Sequence, residues 1–166
     1  MINANLVFSP GIIPAFIVSL ATCLAANAGD LPDPLHTSGA VDPAVTQNNI
    51  QQTICVPGYT KTVRPPASYT NRIKRELLDS YYKDQGDMHS VELDHLIPLT
   101  VGGHPTDLKN LWPQSYGSEH DASFKDRCEV AARTAICQGR VALVEAQKGF
   151  ATNWIEWCKQ LTGDTQ

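Results

Sequence analysis

An aspartate and a histidine stand next to each other in this chain, Asp94-His95, at the end of a short apolar run. An imidazole titrates near neutral pH and can take a proton from water, while a carboxylate can hold a divalent cation. The pair Gly102-Gly103 follows and supplies a turn, and Asn110 lies in a second apolar run. This order predicts a two-stranded hairpin that presents a hydrolytic site at the end of its first strand.

A helix is expected to follow the hairpin, with Ser118 as its N-cap and Gly139 near its end. Its first turn contains two candidate metal ligands, His120 and Asp121. Successive helix residues point about 100° apart, so we expect one of the two to face the hairpin. Asp121 also has a purely structural interpretation, because Ser118-x-x-Asp121 has the form of a capping box in which the carboxylate accepts from a backbone N–H.

Residues 92–114 closely resemble the signature of the HNH nucleases, whose ββα-metal motif cleaves phosphodiesters. The resemblance extends less closely from Thr53 to Trp154 and is to a small exported bacterial branch of that family. It implies that His95 is the general base and that Asp94 is a metal ligand. It further implies that Asn110 belongs to the catalytic site, where it holds the hairpin or orients His95.

The resemblance therefore implies an exported, metal-dependent HNH endonuclease that hydrolyses phosphodiester bonds, with DNA as its expected partner and Mg²⁺, Mn²⁺ or Zn²⁺ as its cofactor. The alternative is a non-catalytic protein of the same fold that binds nucleic acid or another partner. A third interpretation, a disulfide-rigidified envelope protein, predicts that the basic residues at 61–75 face away from His95. The expected fold class is α+β: a ββα-metal hairpin-helix motif with additional helices, stabilised by disulfides.

The charge balance argues against a protein held on nucleic acid by overall charge, because the formal net charge of the 166 residues is -4. Residues 61–75 form the one concentrated positive segment, with five basic residues and no acid. A solvated helix face would account for the same charges. The predicted nucleic-acid contacts are Lys61, Arg64, Arg72, Lys74, Arg75 and, on the later helix, Lys125.

The first 28 residues contain no Asp, Glu, Lys or Arg and end in Ala26-Asn27-Ala28, the small-x-small form of a signal peptidase site. We predict a signal peptide over 1–28 and a secreted or periplasmic protein without stable membrane association after cleavage. An N-terminal anchor is the alternative, although the apolar run is shorter than the roughly 20 residues that a span needs. Residues 29–48 are predicted to be a flexible leader and residues 49–162 the nuclease-like domain.

Four cysteines remain once the signal and Cys23 are removed. Cys128 and Cys137 share a predicted helix and lie roughly 13 Å apart along it, whereas a disulfide needs Cα atoms within about 7 Å. Cys128 and Cys158 each lie on the apolar face of a predicted helix. This favours Cys128–Cys158 with Cys55–Cys137, and leaves Cys55–Cys128 with Cys137–Cys158 as the alternative.

The remaining pattern predicts the elements that position the hairpin. Residues 50–63 suggest a short extended segment, and a helix is expected from Ser68 to Gly86. Strands are predicted over 88–93 and 108–112, and a last helix over 143–161. Trp112 and Trp154 are expected in the core rather than on a base-stacking surface.

Overall fold

The computed structural model of the chain describes Met1 and residues 30–163. Apart from Met1, the predicted signal peptide and its cleavage site after Ala28 lie outside the described residues. The fold is mixed α+β, with one two-stranded antiparallel sheet. None of the described helices is long and apolar enough to cross a membrane. The elements are α1 Tyr59–Val63, α2 Ala67–Ser80, β1 Val91–His95, β2 Leu111–Ser115, α3 Ala122–Cys137 and α4 Leu143–Thr162, with short 3-10 turns at Gln47–Gln52, Leu99–Val101 and Leu108–Asn110.

The hairpin begins and ends about three residues later than predicted. Asp94 pairs with Trp112 and His95 with Leu111, so both candidate site residues form the end of β1, as predicted. The second strand starts late because Leu108–Asn110 forms a 3-10 turn, in which the Asp107 carboxylate accepts from the backbone N–H of Lys109. Side chains alternate along a strand, so Glu92 and Asp94 share one face of β1.

The helix after the hairpin starts one turn later than predicted. Its N-cap is Asp121, not Ser118, and the Asp121 side chain accepts from the backbone N–H of Phe124 at 3.1 Å. Asp121 therefore has a capping role, but as the N-cap itself and not as the fourth residue of a capping box that begins at Ser118. The helical positions that face the hairpin move to later residues.

Two further elements differ from the prediction. Residues 50–63 are helical in part, through Gln47–Gln52 and α1, rather than extended. Helix α2 ends at Ser80 instead of continuing to Gly86. Tyr82, just past its end, is 3 % exposed and packs in the hydrophobic core.

The core contains both tryptophans, as predicted, since Trp112 and Trp154 are fully buried. Both preferred disulfides are confirmed. Cys128–Cys158 joins α3 to α4, and Cys55–Cys137 joins the chain before α1 to the end of α3. Disulfides of this kind persist in oxidising compartments outside the cytoplasm.

Residues 30–46, here called the N-terminal strap, lie within the segment 29–48 that was predicted to be a flexible leader, and they contact the domain. The backbone N–H of Gly39 donates to the Lys109 carbonyl at 2.7 Å, and that of Asp42 donates to the Gly102 carbonyl at 2.9 Å. The Thr37 hydroxyl donates to the Leu111 carbonyl at 3.1 Å. The strap is bound mainly through hydrogen bonds of its backbone groups. Such contacts do not require apolar periodicity, so the absence of that pattern did not indicate a flexible segment.

Candidate active site

The loop between the two strands is held by Asn110, which is 0 % exposed. Its amide oxygen accepts from the backbone N–H of Ile97 at 2.8 Å, and its amide nitrogen donates to the carbonyls of Ile97 and His104, each at 3.0 Å. Gly103 lies so close to Ile97 that a Cβ there would overlap the Ile97 carbonyl. Asn110 thus fixes the hairpin loop, one of its two predicted roles, and has its polar atoms turned to the loop rather than to a substrate.

We expect Asn110→Ala to lower the free energy of unfolding by about 3 kcal/mol, because it leaves buried backbone groups at both ends of the loop without partners. Urea denaturation measures the change. Asn71→Ala is the matched control, since Asn71 is an exposed residue of α2 and should alter stability by less than about 0.5 kcal/mol. A similar small effect at Asn110 would contradict the role assigned to its hydrogen bonds.

His95 is 4 % exposed as a residue, and its ring Nε2 lies 3.0 Å from the Pro105 carbonyl oxygen. A carbonyl can only accept, so Nε2 carries the proton and Nδ1 holds the lone pair of the neutral ring. Burial lowers the pKa of His95, against the opposing effect of the Asp94 carboxylate. The ring is therefore held neutral, in the state that can accept a proton.

Asp94 is joined to α3 by Lys125. The Lys125 ammonium lies 2.7 Å from Asp94 Oδ2 and donates to Glu129 Oε1 at 2.8 Å. Burial disfavours the charged ammonium, but the Asp94 and Glu129 carboxylates outweigh it and raise the pKa of Lys125. Burial raises the pKa of Glu129 in spite of Lys125. Asp94 Oδ2 is buried, and the Lys125 ammonium is its ion-pair partner.

Asp94 and His95 line a surface pocket formed by the end of α1, strand β1, the following loop and α3. Four carboxylates line it and Arg64 is its basic member, while Lys125 lies beneath Asp94. Four carboxylates therefore lie near only two basic side chains, Arg64 and Lys125. Burial, and after it the charge of Asp94, raises the pKa of Asp126. The lining residues are Arg64, Glu92, Leu93, Asp94, His95, Pro98, Leu99, Asp126 and Glu129.

Neither predicted helix ligand, His120 or Asp121, lines this pocket. Asp121 caps α3 and also accepts from the backbone N–H of Gly117. The His120 ring lies edge-on to Phe124, with its Nδ1 3.8 Å from the Asp30 carboxylate of the strap. Because α3 starts one turn later than predicted, both residues precede its first turn, and the residues one turn further on meet the hairpin.

The predicted basic patch is dispersed in the structure, and of its members Arg64 lines the pocket with His95. Lys74 donates to the carbonyls of Met88 and Val91 and so supports the start of β1. Lys125 is 1 % exposed and cannot reach a phosphate, which corrects its prediction as a nucleic-acid contact. Of the others, Arg72 pairs with Glu76, Arg75 lies near Lys83 and Asp87, and Lys61 is exposed on α1.

Two pocket residues, Asp126 and Glu129, were missed in the sequence. The available signal was the i, i+4 pair Lys125 and Glu129 on a helix that follows a hairpin, where both lie on one face. That face also carries the buried residues Cys128 and Ala132, so charged groups there need partners inside the protein. With the N-cap predicted at Ser118, the expected ligands His120 and Asp121 fell in the turn that precedes α3.

The polar lining of the pocket consists largely of carboxylate oxygens, the ligands that hard cations prefer. Its four carboxylates exceed its basic side chains in number. Within the part of the chain that the structure describes, no group of three His, Cys, Asp or Glu side chains has the arrangement of a metal site. Comparisons with protein-family models, curated proteins and solved structures found no match to this chain.

Proposed function

We propose that this chain is an exported, metal-dependent endonuclease of the HNH type, with a ββα-metal motif formed by β1, β2 and α3, that hydrolyses phosphodiester bonds in DNA. The observation that carries the proposal is the His95 ring, held by the Pro105 carbonyl beside Asp94 at the edge of an acidic pocket. A divalent cation would neutralise charge on the phosphate and the leaving oxygen.

Each pocket residue has a role that follows from its contacts. His95 accepts a proton from the attacking water through Nδ1, since Nε2 is occupied. Arg64, at the pocket rim, binds a phosphate oxygen. We assign the cation to Asp94, the ligand that the sequence resemblance implies, and to Asp126, whose carboxylate has no hydrogen-bond donor among the described residues. Glu92 accepts from the Tyr116 hydroxyl at 2.6 Å, and Glu129 accepts from Lys125.

Nicking of supercoiled plasmid tests this function. The wild-type protein should nick DNA with at least one of Mg²⁺, Mn²⁺ and Zn²⁺, and EDTA should stop the reaction until the cation is restored. Asp126→Asn should raise the cation concentration needed for half-maximal activity by at least about 10-fold. Asp84→Asn, at an exposed turn residue, is the control and should leave that concentration unchanged.

A non-catalytic, nucleic-acid-binding or partner-binding protein on the same fold is the second candidate. It is favoured by one observation: the helix residues expected to complete the metal site, His120 and Asp121, do not line the pocket. This candidate predicts no plasmid nicking with any of the three cations. DNA binding that persists in EDTA, measured by fluorescence anisotropy, would then separate it from a protein without a nucleic-acid role.

A further inference from the structure

Lys125 is the most deeply buried charged side chain at the pocket, with an exposure of 1 %. Three oxygens lie within 2.8 Å of its ammonium: Asp94 Oδ2 as an ion pair, and Glu129 Oε1 and the His95 carbonyl as hydrogen-bond acceptors. The ammonium also lies 5.5 Å from the centre of the Phe150 ring of α4. A Lys ammonium has three N–H bonds, so these neighbours occupy it and leave no donor for a substrate.

Two of the three oxygens belong to the adjacent site residues, Asp94 and His95. The peptide unit that joins His95 to Leu96 is held at both ends, because its carbonyl accepts from Lys125 at 2.8 Å and its N–H donates to the Asn110 carbonyl at 2.8 Å. The tip of the His95 ring is held separately by Pro105. The histidine is thus fixed at its main chain and at its ring, and Lys125 is the link from α3.

We propose that Lys125 is a positioning residue of this site, which sets the Asp94 carboxylate and the His95 main chain and does not contact nucleic acid. Its catalytic consequence rests on the proposed nuclease function, whereas the positioning itself does not. Stability alone is a weak explanation for the cluster, because the desolvation of a buried ion pair offsets much of its Coulombic gain. Two of the three contacts of Lys125 fix the adjacent pocket residues Asp94 and His95.

Lys125→Met tests the catalytic consequence, since it removes the ammonium and keeps an unbranched apolar stem. We expect kcat for plasmid nicking to fall about 100-fold, the effect of a misplaced reacting group, with KM changed by less than about twofold. The salt dependence of DNA binding should be unchanged. A raised KM together with a salt slope reduced by about one would instead show a phosphate contact and overturn the proposal.

A double-mutant cycle tests whether Lys125 acts through Asp94. If it does, Asp94→Asn combined with Lys125→Met should be no more damaging to kcat than the worse single substitution. Fully additive losses would show that the two side chains act independently, and would overturn the part of the proposal in which Lys125 sets the Asp94 carboxylate.

Amide hydrogen exchange at Leu96 tests the positioning without any reference to activity. Because Lys125→Met alone leaves the Asp94 and Glu129 carboxylates without their cation, the comparison is Glu129→Gln with Lys125→Met/Glu129→Gln. We expect the Leu96 amide to exchange about 10-fold faster in the double variant, while the amides of Ile73 and Leu77 in α2 keep their rates. Unchanged exchange at Leu96, or an equal loss of protection in α2, would overturn the proposal. Faster exchange at Leu96 in a protein whose wild type cleaves no DNA would uphold the positioning and refute the nuclease function.

Discussion

His95→Ala is expected to lower plasmid nicking by about 1000-fold, because the substitution removes the group that accepts the proton from the attacking water. The neutral ring has its lone pair on Nδ1, and no other imidazole lines the pocket among the described residues. The initial rate of conversion of supercoiled to nicked plasmid, at saturating cation, is the measurement.

Two companion variants separate chemistry from folding. His95→Gln retains a side chain that can donate to the Pro105 carbonyl, so it should restore stability lost in His95→Ala but not the activity. His89→Ala alters an exposed histidine and should nick DNA at the wild-type rate. Nicking by His95→Ala at the wild-type rate would end the assignment of His95 as the base, and recovery of activity in His95→Gln would reduce His95 to a structural residue.

Removal of the Cys55–Cys137 disulfide is expected to cost about 4 kcal/mol of unfolding free energy. The two cysteines are 82 residues apart, and a cross-link that closes a long loop restricts the unfolded chain strongly. This is a large part of the roughly 5 to 15 kcal/mol that stabilises a typical domain. Urea denaturation of Cys55→Ala/Cys137→Ala, monitored by circular dichroism, measures the loss.

Cys128→Ala/Cys158→Ala provides the matched comparison, because its loop spans only 30 residues. Loop-closure entropy predicts a somewhat smaller loss for this pair. Its effect on activity should be the greater of the two, since Cys128 lies one turn from Lys125 on the helix that lines the pocket. A loss below about 1 kcal/mol for Cys55→Ala/Cys137→Ala would show that the disulfide adds little to the constraint already imposed by packing.

Local patterns in the sequence were sufficient where the physical cause is local. Helical spacing placed Cys128 and Cys158 on apolar faces, and this led to the disulfide pairing that the structure contains. The Gly turn and two apolar runs gave the antiparallel hairpin. Asp94, His95 and Asn110 are neighbours through this hairpin, so their proximity followed from secondary structure alone.

The tertiary structure decided which helix residues meet the hairpin, because a shift of one turn in the start of α3 exchanges the residues on its inner face. His120 and Asp121 were the residues nearest in type to metal ligands, yet Asp126 and Glu129 line the pocket. A lysine is ordinarily exposed. The spacing of Lys125 and Glu129 on an apolar helix face was the sequence signal for their pairing, but Asp94 comes from β1, and only the fold brings it to Lys125.

The sequence by itself thus determined the hairpin and the neighbouring pair Asp94-His95, and it favoured the cysteine pairing that the structure contains. These features depend on spacing along one or two elements. Only the tertiary structure decided the course of the N-terminal strap, the membership of the acidic pocket and the dispersal of the basic patch. These depend on backbone hydrogen bonds and charge pairs between residues distant in the chain, such as Gly39 with Lys109 and Lys125 with Asp94. Contacts of that kind leave no periodic trace in a sequence, because any residue can supply a backbone donor and a charge can find its partner anywhere in the fold.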